Sequence, residues 1–263
     1  MATHPGALLG GGDAHDVCLN LFGGPYVTVG GRRVDVPEGS KRLLAFVALS
    51  EGQVERRRAA GTIWSTNDDV RAGGNLRSAL WRLKGAGIDV LEADKTALWL
   101  RSGTHVDVRL LHDWAGRLIG GCPERADLRL TRWHTDSLEL LPGWYDDWAI
   151  IERECIRQQL LHALEALAGH LIGSGRHAEA VGVAVTAVAI EPLRETAQRV
   201  LVETHIAEGN LVEARRAYRA YRSLLRRELG VEPGARITGL IEAASAPAAP
   251  QRASLRRLAI VKL

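Results

Sequence analysis

The stretch Asn67–Lys84, NDDVRAGGNLRSALWRLK, decides how this chain is read. Leu76, Ala79, Leu80 and Leu83 fall at i, i+3, i+4 and i+7, one face of an α-helix. Arg71, Asn75, Ser78 and Arg82 fall at i, i+4, i+7 and i+11, a stripe on the opposite side flanked by Arg77 and Lys84. Every member of that stripe can donate hydrogen bonds and none is acidic. Asp68 and Asp69 are confined to the first turn, where they suit the helix dipole, and Asn67 is a reasonable N-cap. Such a helix is equipped to read a major groove, because Arg pairs bidentately with guanine and Asn with adenine. A solvated surface helix can have the same pattern, so the rest of the chain has to decide between the two.

The segments before it are short and regular. Val54 to Trp64 reads as a helix with Arg56-Arg57-Arg58 at its start, positioned to touch phosphates or to stay solvated. Ile63 and Trp64 close it and enter the core. Ser40 can cap a helix running to about Ser50, with Leu43, Leu44, Val47 and Ala48 as its buried face. Val17 to Val36 reads as strands, with the Gly30-Gly31 pair between two β-rich runs as a hairpin signal.

After the opening helix, Gly85-Ala86-Gly87 is a stop. Ile88–Leu91 and Ala97–Leu100 then read as two short strands, with Lys95 near their turn, within reach of a phosphate or the minor groove. Strands, three helices and a hairpin make a winged helix-turn-helix, and the N-terminal sheet places it in the OmpR-like subtype.

From Val106 the pattern turns helical. Val108 to Ile119 reads as a helix ended by Gly120-Gly121, a second runs roughly from Pro123 to Leu140, and a long one covers Trp144 to Ser174. Gly175–Ala180 (GRHAEA) then matches Gly209–Ala214 (GNLVEA) at a separation of 34, the tetratricopeptide period. The expected fold class is mainly α with small β elements. Its domains are a loose leader at 1–16, the winged helix at 17–105, a tetratricopeptide-like helical domain at 106–242, and an Ala/Pro linker with a basic tail at 243–263.

Composition narrows the function. The chain has 263 residues, 46% apolar and 25% charged, enough for two modest domains. No apolar run approaches the ~20 residues of a membrane span, and the first fifteen residues lack the basic and apolar regions of a signal peptide. Cys18, Cys122 and Cys155 are few, odd in number and far apart, which argues against disulfides or zinc and fits a reducing cytoplasm. From Glu55 to Lys84 there are seven Lys/Arg against three acids, whereas Asp107–Glu242 has seventeen against twenty. The basic excess sits around the opening helix and in the tail, and such a local patch is the electrostatic footprint of a DNA-binding protein.

With both halves read, the chain resembles the Streptomyces antibiotic regulatory protein family in its small form. Arg42–Leu49 (RLLAFVAL) and Asn75–Leu83 (NLRSALWRL) are similar to the family's first and recognition helices. Leu141–Trp148 (LPGWYDDW), Pro192–Glu195 (PLRE) and Glu228–Pro233 (ELGVEP) resemble signatures of its bacterial transcriptional activator domain. The resemblance implies a transcription activator of a biosynthetic gene cluster. Such a protein binds direct repeats in double-stranded DNA near a promoter −35 region, with two protomers side by side, and recruits RNA polymerase holoenzyme. Base readout then falls to Asn75, Ser78 and Arg82, with Arg71 and Arg77 nearby. Arg56, Arg57, Arg58, Lys84 and Lys95 are the expected phosphate contacts. Gly73-Gly74 departs from the family pattern, and each Gly inside a helix costs about 1 kcal/mol relative to Ala, so the first turns are expected to fray without DNA.

Other chemistries find little support. No Gly-Lys dipeptide, GxSxG or HExxH is present, which removes the P-loop and two hydrolase motifs. The nine His are scattered, so no metal, cofactor or catalytic constellation is expected and the chain is read as a non-enzyme. Trp144, Tyr145 and Trp148 have the composition of a ligand cage but are more simply an interdomain seam. A rival function is a protein-interaction adaptor in which the winged helix is structural.

Overall fold

The Gly30-Gly31 pair makes a hairpin turn, as the sequence predicts. Both residues have positive φ, 53° and 77°, which a side chain would strain. In this computed structural model, which describes residues 17–245, the pair joins β2 (Tyr26–Val29) to β3 (Arg32–Asp35), and β2 also pairs antiparallel with β1 (Val17–Asn20). The leader expected at 1–16 and the tail from 246 onward lie outside the described residues.

Three helices follow: α1 (Glu38–Leu49), α2 (Arg56–Ile63) and α3 (Asp69–Gly85). Their shared core contains Leu43, Phe46, Val47, Ala59, Ile63, Ala72, Leu76 and Ala79, with Trp64 and Leu80 packed at its edge. The wing is β5 (Leu91–Ala93) and β6 (Ala97–Leu100), and the two-residue strand β4 (Val54–Glu55) adds to it in the order β4-β6-β5.

Several elements differ from the sequence reading. Ser40 is not a cap: it is fully buried inside α1 and its Oγ donates to the Ala79 carbonyl of α3 at 2.8 Å. Val54 and Glu55 are strand, so α2 begins at Arg56. Ile88 and Val90 are buried but precede the strand, which starts at Leu91. β7 (Thr104–Val106) is a strand the sequence did not reveal. It pairs parallel with β1 and completes a sheet of order β3-β2-β1-β7. The expected helix from Pro123 to Leu140 is mostly loop, with only α5 (Arg132–Asp136) and one 3₁₀ turn at Ser137–Glu139. Asp127 holds that loop by accepting two hydrogen bonds from Arg117 and one from the Glu124 N–H.

Asp107 opens α4 (Asp107–Ile119) and ties it to the sheet. Its buried carboxyl accepts from the Leu21 and Phe22 N–H groups at 2.7 and 2.8 Å, and from Val108 N at 2.8 Å. Burial pushes its pKa up to about 7, opposed by those backbone donors. His134 of α5, tilted against Trp114 at 4.1 Å and edge-on to Trp133 at 4.9 Å, is pushed down to about 4 by burial.

The remaining elements are α6 (Asp147–Gly173), α7 (His177–Ile190), α8 (Glu195–Ala207), α9 (Leu211–Leu229) and α10 (Ala235–Ser245). Residues 243–245, expected in the linker, are the last turn of α10. The chain divides into two compact units at His170/Leu171, inside α6. The 34-residue repeat is visible as geometry in the second. Gly175 and Gly209 both have φ near the left-handed region, 73° and 82°. Gly175 N–H donates to Ile172 O and Arg176 N–H to Leu171 O, while Gly209 and Asn210 repeat the pattern on Ile206 and His205. Ala180 and Ala214, in register, are both fully buried.

Candidate nucleic-acid interface

The interface is built on α3. Its N-cap is Asp68 rather than Asn67, because the Asp68 carboxylate accepts from the Arg71 N–H at 2.8 Å. The Asn67 N–H instead closes a turn on Trp64 O. Ala72, Leu76, Ala79 and Leu83 are buried and Leu80 is half-buried, so the apolar face is as the spacing predicts. The helix is held on α1 by the Ser40–Ala79 bond and by a close approach at Gly39. A Cβ on Gly39 would collide with Nη1 of Arg82, whose guanidinium therefore lies against the first turn of α1.

The predicted stripe is on the accessible side, but its members are differently placed. Arg71, Ser78 and Arg82 are exposed and Asn75 is half-buried. Arg71 is turned back to its own cap, Nε to Asp68 Oδ2 at 3.6 Å. Arg77 is exposed and its guanidinium folds back to about 3.8 Å from where Cβ atoms of Gly73 and Gly74 would stand. α3 runs continuously through both glycines, with its first turn capped by Asp68 and with Ala72 and Leu76 buried. An open groove of about 330 Å³ between α2 and α3 has Arg56, Arg57 and Arg77 among its lining and Leu76 at its base.

The sequence reading missed Trp81, a residue of this face that is 75% exposed. At about 3.6 residues per turn, Gly74, Ser78 and Trp81 form the line farthest from the buried side. The signal was available in the sequence, since a Trp opposite a Leu/Ala face has no core to enter. Val70, also on this helix, is 81% exposed.

Of the expected phosphate contacts, Arg57, Arg58, Lys84 and Lys95 are exposed. Arg56 is half-buried and committed: its N–H donates to Thr96 O at 2.8 Å and its Nη1 to Asp94 O at 3.1 Å. It braces the wing against α2. The wing turn is fixed by the Asp94 carboxylate, which accepts from Thr96 N, Ala97 N and Thr96 Oγ1. Those bonds, first from Ala97 and then from Thr96, hold its pKa below the usual carboxylate range. Lys95 is presented beside this turn.

The aromatic trio does not act as one group. Trp148 packs edge-on against Phe46 of α1 with ring centroids 5.4 Å apart, and Trp144 meets Trp148 at 6.0 Å. Tyr145 is 83% exposed, so it takes no part in a seam. The contact made by Trp148 is with the winged-helix core, within the first unit. Arg153 fixes the preceding loop by donating to Leu140, Leu141 and Trp144 carbonyls. Among the described residues, no group of three or more His, Cys, Asp or Glu could hold a metal ion.

Comparison with known proteins agrees with this architecture. Regulatory protein AfsR from Streptomyces griseus is 29% identical over 207 residues, covering 73% of this chain. The chain spans about a fifth of that relative's length, 21%. The structure of Mycobacterium tuberculosis EmbR in complex with a low-affinity phosphopeptide superposes with a TM-score of 0.67. That match covers 87% of this chain and 65% of EmbR at 20% identity, which shows a shared fold. Residues 111–244 match the bacterial transcriptional activator domain, half of the chain. The chain belongs to the bacterial transcriptional activator domain family.

Proposed function

We propose that this protein is a sequence-specific, DNA-binding transcription activator. It would bind direct repeats near a promoter −35 region as two protomers side by side, and recruit RNA polymerase holoenzyme to a secondary-metabolite gene cluster. The observation that carries this reading is the exposed face of α3: Ser78, Trp81, Arg77 and Arg82, with Asn75 beside them, displayed by a helix packed on the winged-helix core. In this assignment the winged helix covers residues 17–105 and the activator domain 106–242. Family membership and the likeness to regulatory protein AfsR support it.

The division of labour follows from chemistry. Asn75, Ser78 and Arg82 read base edges, while Arg57, Arg58, Lys84 and Lys95 hold phosphates and set the register. Arg56 acts on the wing instead of on DNA. Trp81 covers a thymine methyl or a sugar edge, where an apolar ring is favoured. No helix among the described residues is long and apolar enough to cross a membrane, and a DNA-bound activator works in the cytoplasm.

A footprint on the promoters of the neighbouring genes tests the reading. The expected result is protection of two tandem sites by the full chain at moderate salt. No specific protection, with the helical unit still capturing a protein partner, would replace it with the adaptor function.

A further inference from the structure

α9 carries Arg215, Arg216, Arg219, Arg222, Arg226 and Arg227 against Glu213 and Glu228, a net +4 in 19 residues. The other residues from Leu171 to Ser245 hold four Arg and seven Glu. The positive charge of this unit is therefore gathered on one helix, and all six of its arginines are exposed. Arg215, Arg219, Arg222 and Arg226 follow i, i+4, i+7 and i+11, a single row roughly 16 Å long.

Like charges on successive turns repel, and the fold relieves this only in part. Glu232 accepts from Nε of Arg222 at 2.6 Å and also from Nε of Arg226. Arg215 donates to the Ser245 hydroxyl at 3.2 Å, and Arg219 has no ion pair among the described residues. About a quarter-turn round the helix the surface is apolar: Ala214, Tyr221 and Leu225 are buried, and the Tyr218 hydroxyl is shared with Thr238. The exposed side thus has neither an aromatic ring for an unpaired base to stack on nor an Asn or Gln to read a base edge.

We propose that the Arg215–Arg219–Arg222–Arg226 row is a second, sequence-independent contact to the phosphate backbone of duplex DNA. The inference rests on the DNA-binding function proposed above. Duplex DNA carries one charge per about 1.7 Å of axis, which makes it complementary to a row of guanidiniums that can grip phosphate bidentately. Residues 246–263 do not supply the counter-charge, because they include Arg252, Arg256, Arg257 and Lys262 and no Asp or Glu. Glu232 competes with phosphate for two of the four arginines and so sets the strength of the contact.

The test uses the full chain and fluorescence anisotropy over a KCl series, with a duplex bearing a footprinted site and with a random duplex. The variant R215Q/R219Q/R222Q/R226Q, checked for an unchanged circular dichroism spectrum and melt, is expected to weaken both duplexes by the same factor. Its plot of log affinity against log salt becomes shallower by about 2–4, since each phosphate contact contributes about 0.9. Glu232→Gln moves the other way, tightening both duplexes and steepening the slope. The proposal is overturned if the folded quadruple variant keeps the wild-type slope while Glu232→Gln has no effect. It is equally overturned if DNA binding is unchanged and self-association or polymerase recruitment is lost, which would assign the row to an acidic protein. In both cases wild-type binding to its site persists, so the DNA-binding function itself survives.

Discussion

Helices α3 and α9 show side chains at the same spacing, i, i+4, i+7 and i+11, and differ in what they show. The α3 row is Arg71, Asn75, Ser78 and Arg82, and the arginines on that helix lie beside a carboxylate or small residues. Asp68 holds Arg71, the side of Gly73-Gly74 accommodates Arg77, and Gly39 accommodates Arg82. The α9 row is four arginines with one carboxylate, Glu232, across two of them. A set of mixed donors can distinguish one base edge from another, whereas a row of identical cations senses only charge. Spacing therefore tells which residues are presented together, and the residue types tell what they are presented to.

The largest effect is expected at α3. Asn75→Ala with Arg82→Ala is expected to cost about 1–3 kcal/mol per lost base contact on a cognate repeat and much less on random duplex. Competition binding with single-base operator variants measures the relaxation. Trp81→Ala separates binding from folding: an exposed side chain changes stability by no more than about 0.5 kcal/mol, while cognate affinity falls. A chemical melt beside the binding curve decides this, and a large loss of stability would mean that Trp81 packs in the fold.

Smaller effects are expected at the wing and at the two glycines of α3. Lys95→Ala is expected to weaken all sequences alike and to flatten the salt slope by about 1, the behaviour assigned to α9 but at the wing. Gly73→Ala and Gly74→Ala are each expected to raise stability by about 0.5–1 kcal/mol in urea melts, because added Cβ atoms meet Arg77 only at ordinary contact distance.

The pH dependence of folding is expected to be weak, for a reason with two opposite signs. His134 is pushed down from 6.5 to about 4, so its contribution is present above pH 6.5 and is lost as pH falls through about 4. Asp107 is pushed up from 3.8 to about 7, so its contribution is full below pH 3.8 and is lost as pH rises through about 7. The two oppose each other between pH 4 and 6.5. In Asp107→Asn the His134 slope is no longer offset by Asp107, and thermal melts across that window should show more acid lability than the parent. Neither α3 nor α9 contains a histidine, so DNA affinity should be flat from pH 6 to 8.

Local features were legible in the sequence. The face of α3 follows from residues three and four apart, the hairpin from Gly30-Gly31, and the helical repeat from paired Gly175 and Gly209. What escaped was non-local or too short to carry a period. β7 has three residues, and its partner β1 lies more than eighty positions earlier, so nothing near Thr104–Val106 signals a strand. The run from Pro123 to Leu140 has helical composition, yet Asp127 and Arg117 organise it as a loop through side chains ten residues apart. Ser40 has the chemistry of a cap, and only the proximity of Ala79 turns it into a brace between helices. Arg56 looked like its neighbours Arg57 and Arg58 until the wing folded over it. Tyr145 was grouped with two tryptophans by sequence adjacency, although it points to solvent.

The central claim is that α3 supplies sequence and α9 supplies only charge. The most direct test is the ratio of cognate to random duplex affinity at one fixed salt, measured for the parent, for N75A/R82A and for R215Q/R219Q/R222Q/R226Q. The ratio is expected to collapse in the first variant and to be unchanged in the second, even though both bind cognate DNA more weakly. Equal loss of cognate and random binding in N75A/R82A, with the ratio intact, would contradict that claim.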